Sequence, residues 1–380
     1  MPEPSALTTR TPGPEPVPAR AAPLAAVPDP PVDGSRRSPV RADGDANVDA
    51  GLLARVLGRW RVGAPRVTST LASGLTNLNW RVETDSGAYA LKRVGDADHR
   101  ALRAQHRVVA ALAEAGVPAP VPLRTRRGGT CAVVDGHRYV LHPWVAGRHR
   151  GGLDLGFGEC AALGGRLAAL HATLGRLMPP VQQSCYVPAP SARDSLVTIE
   201  RLLDVARTRP DRDSFDDLVE RRLLERGVLL SRLAGHRPPE VDALASGYIH
   251  GDFHSLNLLF DDAGGLAAIL DWDRLAVGTY AGEVVRAGVL LFAHRDGHGL
   301  DLDRVAAFVA GYRGRGDLDA AQLRSAAYRM WWDRANDFWM LDWRYQRGDV
   351  PCGRMFPAAA ALVTWWTDNL ATVTDAFATA

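Results

Sequence analysis

Two aspartates and an asparagine stand at the ends of two short apolar segments in the middle of the chain. Asp252 precedes the first segment, Leu258–Phe260, with Asn257 five positions after it, and Asp271 ends the second, Leu266–Leu270. The two segments are predicted to be strands joined by a short turn. A hairpin of this kind brings two carboxylates and one amide to one edge. This set suits phosphoryl transfer, in which one carboxylate accepts a hydroxyl proton while the amide and the other carboxylate hold Mg²⁺.

The spacing of these residues is that of the protein-kinase catalytic loop, Asp-x-x-x-x-Asn. Here the loop begins as His250-Gly251-Asp252, and Asp271-Trp272-Asp273 stands in the place of Asp-Phe-Gly. The chain resembles the aminoglycoside phosphotransferase and choline kinase family, which has a protein-kinase-like fold and phosphorylates small molecules. This resemblance implies that Asp252 is the catalytic base and that Asn257 and Asp271 are metal ligands. The simpler alternative is a polar hairpin whose acids only cap turns.

Length and composition describe a globular chain. The 380 residues suffice for one large domain or two lobes, and the hydrophobic share is 46%. A net charge of +2 gives no reason to expect a nucleic-acid partner. The four cysteines are scattered, as expected in a reducing compartment. No apolar run approaches the ~20 residues that span a bilayer, and no apolar signal core is present, so we expect a cytoplasmic protein without a membrane partner.

Lys92 is the single lysine among 45 lysine and arginine residues. Because arginine supplies general basic charge here, the exception indicates a position that needs a compact ammonium. The alternative is that a lysine remains at this position by chance. The resemblance implies that Lys92 is the strand lysine that holds the α- and β-phosphates of the nucleotide.

Three predicted strands surround this lysine, namely Val67–Leu71, Asn79–Thr84 and Ala88–Val94. The resemblance implies that Gly74, Thr76 and Asn77, between the first two strands, close over the nucleotide phosphates through backbone N–H groups. A single glycine between strands, taken alone, is more often only a turn.

The next predicted helix, Ala97–Ala115, departs from the family pattern. The family usually has a glutamate that pairs with the strand lysine, and this chain has Gln105. An amide can accept a hydrogen bond from an ammonium but carries no charge. Either another acid, such as Asp96 or Glu114, serves in its place, or Lys92 is held less tightly.

The segment His142–Gly147 follows a predicted hairpin, Thr130–Leu141, and resembles the hinge between kinase lobes. Adenine would bind hinge backbone there, and the ring of Trp144 is assigned to the nucleotide, with lobe packing as the alternative. ATP and GTP remain equally open as phosphoryl donors. His171 lies beside an apolar helix face and is predicted to be a core residue.

The second half of the chain is predicted to be mainly helical. Helices are expected at Glu159–Leu174, Ser191–Ala206, Ser214–Leu233, Gly282–Phe292 and Leu302–Tyr312. Two longer segments, Ala320–Arg347 and Phe356–Phe377, hold six of the ten tryptophans. Trp332, Trp339 and Trp343 share one helical stripe, and such a stripe is predicted to be core.

Asp333 and Asp337 are candidate substrate residues, since the family binds its acceptor near the C-terminal helices. They lie four positions apart, and like charges at this spacing are unfavourable in an isolated helix. One explanation is a cationic acceptor, such as an aminoglycoside, another amino-sugar or peptide antibiotic, or a choline-like amine. The alternative is a solvated face on which Arg329 or Arg334 neutralises the acids.

These observations predict a two-lobed α+β, protein-kinase-like fold. Residues 1–44 are expected to be a disordered tail rich in Pro, Ala and Arg, residues 45–141 a small antiparallel-sheet lobe that binds nucleotide, and residues 142–380 a mainly helical catalytic lobe. The expected activity is Mg²⁺-dependent transfer of a γ-phosphate from ATP or GTP to a hydroxyl of a small molecule. A protein Ser/Thr kinase of the same fold and a nucleotide-binding pseudokinase are the alternatives.

Overall fold

The protein is described here by a computed structural model that covers residues 49–71, 77–95, 98–181, 188–239 and 246–379. The predicted tail at residues 1–44 lies outside these ranges. So do the loop residues Gly74 and Thr76, and Asp96, one of the acids considered as a partner of Lys92.

A five-stranded antiparallel sheet with strand order β1-β2-β3-β5-β4 forms the N-terminal lobe, as predicted. Its strands are β1 (Pro65–Thr70), β2 (Leu78–Thr84), β3 (Gly87–Val94), β4 (Ala132–Val134) and β5 (His137–Pro143). Two helices accompany it, α1 (Ala50–Leu57) and α2 (His99–Glu114). Every second residue of β2 is buried, which gives the sheet an apolar face, and Trp60 packs in the core beneath it.

The register of the sheet positions Lys92. Strand β3 lies between β2 and β5, where Lys92 pairs with Asn79 on one side and Val140 on the other. Leu91 is buried in the core of the lobe. Because successive side chains of a strand point to opposite faces, Lys92 emerges on the face away from that core.

The remainder of the chain is mainly helical. Its helices are α3 (Phe157–Leu177), α4 (Ala192–Thr208), α5 (Ser214–Arg232), α6 (Tyr280–Phe292), α7 (Leu302–Arg313), α8 (Ala320–Ala335), α9 (Trp339–Arg347), α10 (Val350–Gly353), α11 (Phe356–Asp368) and α12 (Leu370–Ala378). Helix α3 lies directly against α7, because Gly164 has no Cβ; such an atom would stand 1.9 Å from the carbonyl oxygen of Phe308. No helix within the described ranges is long and apolar enough to cross a membrane.

The prediction of two long C-terminal helices is wrong, since each segment contains a break at an asparagine. Asn336 follows α8 and donates its side-chain amide to the carbonyl oxygen of Trp332, at 2.8 Å. Asn369 follows α11 and donates in the same way to Trp365, at 2.8 Å. Each amide binds a carbonyl of the last turn, which would otherwise lack a partner. Trp332 and Trp343 are buried as predicted, whereas Trp339 is only partly buried, and Trp332 lies on a different helix from the other two.

The predicted hairpin is present as β7 (Leu258–Phe260) and β8 (Leu266–Ile269). It is flanked by a second pair that the sequence did not predict, β6 (Ser246–Ile249) with β9 (Ala276–Thr279). This outer pair joins segments almost thirty residues apart, as in Tyr248 opposite Val277. It therefore brings together the two ends of the segment that contains Asp252, Asn257 and Asp271.

Candidate active site

The loop that carries Asp252 is fixed by its backbone. Gly251 has φ +80°, and a Cβ there would lie 2.5 Å from the carbonyl oxygen of Arg274, so the position requires glycine. The His250 ring, fully buried, contacts the carbonyl oxygen of Leu270 through Nε2 at 2.9 Å. The Leu270 N–H donates to the carbonyl oxygen of Asn257 at 2.8 Å. The loop and the end of β8 are therefore joined beside Asp271.

Glu283 in α6 binds the backbone of this loop. Its carboxylate accepts from the backbone N–H of His250 at 3.2 Å and of Gly251 at 2.5 Å. His171 lies 2.5 Å from the same carboxylate through Nε2, and its Nδ1 lies 2.8 Å from the Tyr312 hydroxyl. Burial alone would raise the pKa of Glu283, but these contacts hold it below the usual value. His171 is buried, as predicted, and its contact links α3 to the catalytic loop.

The Asp252 carboxylate is surrounded by basic groups. Arg286 donates to Oδ1 at 2.9 Å, His254 lies 3.4 Å from Oδ2, and Arg274 lies 3.9 Å from Oδ2. Burial opposes ionisation, but His254, Arg274 and Arg286 together hold the pKa of Asp252 well below its usual range. The Asp252 carboxylate is consequently ionised.

Glu283 and Arg286 were both missed as site residues. The signal was present, however, since they are the only charged residues in the otherwise apolar sequence of α6. Three positions apart on one helix, they face the loop together, one contacting its backbone and the other its carboxylate.

Lys92 reaches from the sheet to the two aspartates that follow β8. Its ammonium donates to Asp271 at 2.7 Å and to Asp273 at 2.9 Å. Asp273 also accepts from the amide of Asn77 at 2.9 Å and from the amide of Gln105 at 3.3 Å. Burial would lower the pKa of Lys92, but the two carboxylates raise it well above its usual value.

Among the described residues, Asp271 and Asp273 pair with Lys92, while Asp96 lies outside the described ranges. Glu114 is exposed at the far end of α2. Asp273, which the sequence placed at the glycine position of Asp-Phe-Gly, occupies the role instead, and Gln105 serves as a donor to it. The sequence did contain a signal for this role, because Asp273 lies only two residues after Asp271.

Asp271 and Asn257 provide oxygen donors suited to a hard cation. Asp271 has φ +56°, a conformation that aspartate tolerates, and the carboxylate is partly exposed. The Asn257 amide nitrogen donates to the backbone oxygen of Asp252 at 2.9 Å, which leaves the amide oxygen available as a ligand. No group of three or more His, Cys, Asp or Glu side chains in the described ranges is arranged for a metal. Mg²⁺ in kinases is usually held by one or two protein oxygens together with phosphates, and this pair fits that need.

Trp144 lies at the junction of the sheet and the hinge. Its backbone N–H donates to the carbonyl oxygen of Ala88 at 3.1 Å, and the guanidinium of Arg81 lies 4.9 Å from the centre of its ring. One face of the ring is thus covered by a residue of β2, and the assignment of Trp144 to the nucleotide stays a prediction.

Asp333 and Asp337 do not share a helical face, because α8 ends at Ala335. Arg329 binds both oxygens of Asp333, at 3.0 and 3.2 Å, as in the salt-bridged alternative. Asp337 is exposed in the link before α9 and accepts from the backbone N–H of Trp339 at 3.2 Å.

Arg334 is the unexpected residue in this region. In the described part of the chain its guanidinium has no hydrogen-bond or ion-pair partner, and its Nε is buried. Burial and the neighbouring charge of Arg286 lower the pKa of Arg334 to about 10, against the opposing effect of Asp337. Two guanidinium groups thus lie near each other on the side of the cleft that holds Asp252.

Comparison with known proteins connects this geometry to a family. The profile of the phosphotransferase enzyme family matches residues 67–322. A homoserine kinase of Methylobacillus flagellatus is 27% identical over 281 residues, which are 71% of this chain and 79% of that protein. A homoserine kinase of Pseudomonas aeruginosa is 27% identical over 291 residues, 74% of this chain and 84% of that protein.

Solved structures show the same fold. A spectinomycin phosphotransferase in complex with ADP and spectinomycin superposes with a TM-score of 0.59 at 13% identity, covering 83% of this chain and 97% of that one. An amicoumacin kinase in complex with AMP-PNP and Ca²⁺ gives 0.56 at 16% identity, covering 84% and 93%. The chain therefore belongs to the phosphotransferase enzyme family and is an ATP-dependent kinase that phosphorylates a hydroxyl of a small molecule.

Proposed function

We propose the following division of labour among the cleft residues. Asp252 is the catalytic base, Asn257 and Asp271 hold Mg²⁺, and Lys92 contacts the α- and β-phosphates of ATP. The observation that carries this assignment is the convergence of a β3 ammonium, an ionised carboxylate and the two metal donors around one loop and hairpin. Bound Mg²⁺ supplies neutralisation of the charge that develops on the transferred group.

The reaction is a single displacement. Asp252 takes the proton of the acceptor hydroxyl, whose oxygen forms a bond to the γ-phosphorus. The bond between that phosphorus and its bridging oxygen breaks, and ADP leaves. Lys92 steadies the leaving diphosphate, while the fixed backbone of His250–Asp252 keeps the base in line with the hydroxyl.

The acceptor in this proposal is a small hydroxy acid of the amino-acid type. Arg334, a partly buried guanidinium without a protein partner in the described ranges, suits a carboxylate, and Asp337 beside it suits an ammonium. The relatives named homoserine kinase support this class, since homoserine carries both groups. Asp333 contributes less, because Arg329 already neutralises it.

An ADP-release assay with a panel of acceptors tests the proposal. The panel contains L-homoserine, the hydroxy acid that lacks its amine, the amino alcohol that lacks its carboxylate, choline and spectinomycin. We expect kcat/KM for the carboxylate-bearing compounds to exceed that for the amino alcohol at least about tenfold, because a charged hydrogen bond contributes about 1.5–3 kcal/mol.

Two variants of α8 test whether Arg334 produces the preference for a carboxylate-bearing acceptor. Arg334→Gln should raise KM for the carboxylate acceptor and remove most of its advantage over the amino alcohol. Arg324→Gln is the matched control, since Arg324 lies on the same helix but pairs with Asp375 at the surface. Turnover of spectinomycin or choline in preference to homoserine would overturn the acceptor class, and turnover of a protein substrate alone would favour the protein-kinase alternative.

A further inference from the structure

Lys92 has lost the helix-borne glutamate that its family supplies, yet it has two carboxylates within 2.9 Å. We propose that Asp273 is the positioning residue for Lys92, with Gln105 as the link that ties Asp273 to α2. This inference rests on the proposed function in taking Lys92 as a contact of the nucleotide phosphates and Asp271 as a metal ligand.

The two carboxylates near Lys92 are not equivalent. The side chain of Asp271 is 37% exposed and is needed as a metal ligand, whereas that of Asp273 is 15% exposed. Asp273 receives donors from three elements, namely Lys92 of β3, Gln105 of α2 and Asn77 at the start of β2. A carboxylate held from three directions gives the ammonium a fixed counter-charge that does not depend on the metal.

The choice of glutamine at position 105 follows from this geometry. Its amide can donate to Asp273, whereas a glutamate there would place a second carboxylate about 3 Å from the first, where like charges repel. Gln105 and Asp273 are therefore a matched pair. In this pair the hairpin supplies the negative charge and the helix supplies the hydrogen-bond donor.

A charge-exchange experiment tests the pairing by nucleotide binding. Titration calorimetry with AMP-PNP measures Kd in the presence and absence of Mg²⁺, so no acceptor or turnover is required. Asp273→Asn should raise Kd about tenfold or more, because it leaves the buried ammonium with Asp271 alone. The double variant Gln105→Glu/Asp273→Asn returns a carboxylate to the helix and should recover Kd to within about threefold of the original protein.

A second double variant controls for net charge. Arg107→Gln/Asp273→Asn changes the charge of the single variant by the same one unit, but on the exposed side of α2. It should bind AMP-PNP as weakly as Asp273→Asn. If both double variants recover equally, or if neither does, the pairing of Asp273 with Lys92 is wrong.

The Mg²⁺ dependence separates positioning from metal binding. A positioning residue should weaken AMP-PNP binding with and without Mg²⁺, whereas a metal ligand would weaken it only when Mg²⁺ is present. A loss confined to the Mg²⁺ titration would overturn the inference.

Two further variants keep the result interpretable. If thermal denaturation shows that Asp273→Asn is unfolded, Gln105→Leu replaces it, because it removes the amide that ties Asp273 to α2, and an unchanged Kd in that variant counts against the inference. Lys92→Met tests the premise separately, since undiminished AMP-PNP binding would contradict the phosphate role of Lys92 in the proposed function.

Discussion

The two acid-rich regions of the cleft are organised in opposite ways. In the hairpin region, Asp271 and Asp273 are two residues apart and converge on one ammonium, Lys92. At the end of α8, where we propose that the acceptor binds (the acceptor side), Asp333 and Asp337 are four residues apart and have separate surroundings. Arg329 binds Asp333, while Asp337 lies in the link beyond the end of the helix.

The difference shows that spacing along the chain does not by itself decide whether two carboxylates act together. Helical spacing predicted a shared face for Asp333 and Asp337, but the helix ends between them. No regular periodicity brings Asp271 and Asp273 together; the left-handed backbone at Asp271 turns both toward β3. We therefore expect changes in the hairpin region to affect catalysis and nucleotide binding, and changes on the acceptor side to affect acceptor KM.

The largest effect is expected at Asp252. Asp252→Asn should lower kcat by about 10²–10⁴-fold, because it removes the base, while AMP-PNP binding is kept. Steady-state kinetics and calorimetry on the same preparation measure both. Turnover of this variant within tenfold of the original enzyme would show that Asp252 is not the base.

Lys92→Arg should have the next largest effect. The guanidinium is larger and planar, so it cannot replace the ammonium between Asp271 and Asp273 although the charge is conserved. We expect kcat/KM for ATP to fall by about one to two orders of magnitude, as for a misplaced catalytic group. Unchanged kinetics would mean that the sole lysine is accidental.

Glu283→Gln tests whether the Glu283 carboxylate positions the loop that carries Asp252 without taking part in the reaction. The amide cannot accept from His250, Gly251 and His171 together, which should cost about 2–3 kcal/mol of folding free energy and lower Tm by about 5 °C. Turnover should fall about tenfold with the metal requirement unchanged, since the base remains but is less well positioned. Wild-type Tm and turnover together would show that the loop needs no such support.

The smallest effects are expected at Asp337 and Asp333, and they should differ between the two positions. Asp337→Asn should raise KM for an amine-bearing acceptor severalfold, up to about fivefold, as expected for one exposed charged contact. Asp333→Asn should change it less, because Arg329 already occupies that carboxylate. KM for ATP should stay nearly constant in both variants. Equal effects at the two positions would show that the two acids form one pocket for a cationic acceptor after all.

The clustering of the three candidate site residues was predictable because they are close in sequence. Asp252, Asn257 and Asp271 lie within twenty residues, around a hairpin whose apolar strands are visible in the pattern. The boundaries of most helices also followed from their apolar periodicity. The breaks at Asn336 and Asn369 did not, because the apolar residues continue through them and only a side-chain bond to the preceding turn marks each end.

The sequence by itself determined the kind of chemistry, through the Asp-x-x-x-x-Asn spacing and the single lysine. Tertiary structure alone decided which charges meet. Lys92 and Asp273 are 181 residues apart, and Arg286 reaches Asp252 over 34 residues. Any of several acids could balance a buried cation, and local patterns cannot rank them. The choice depends on which carboxylate the packing of sheet, α2 and hairpin brings within hydrogen-bond distance, and that is a property of the folded chain.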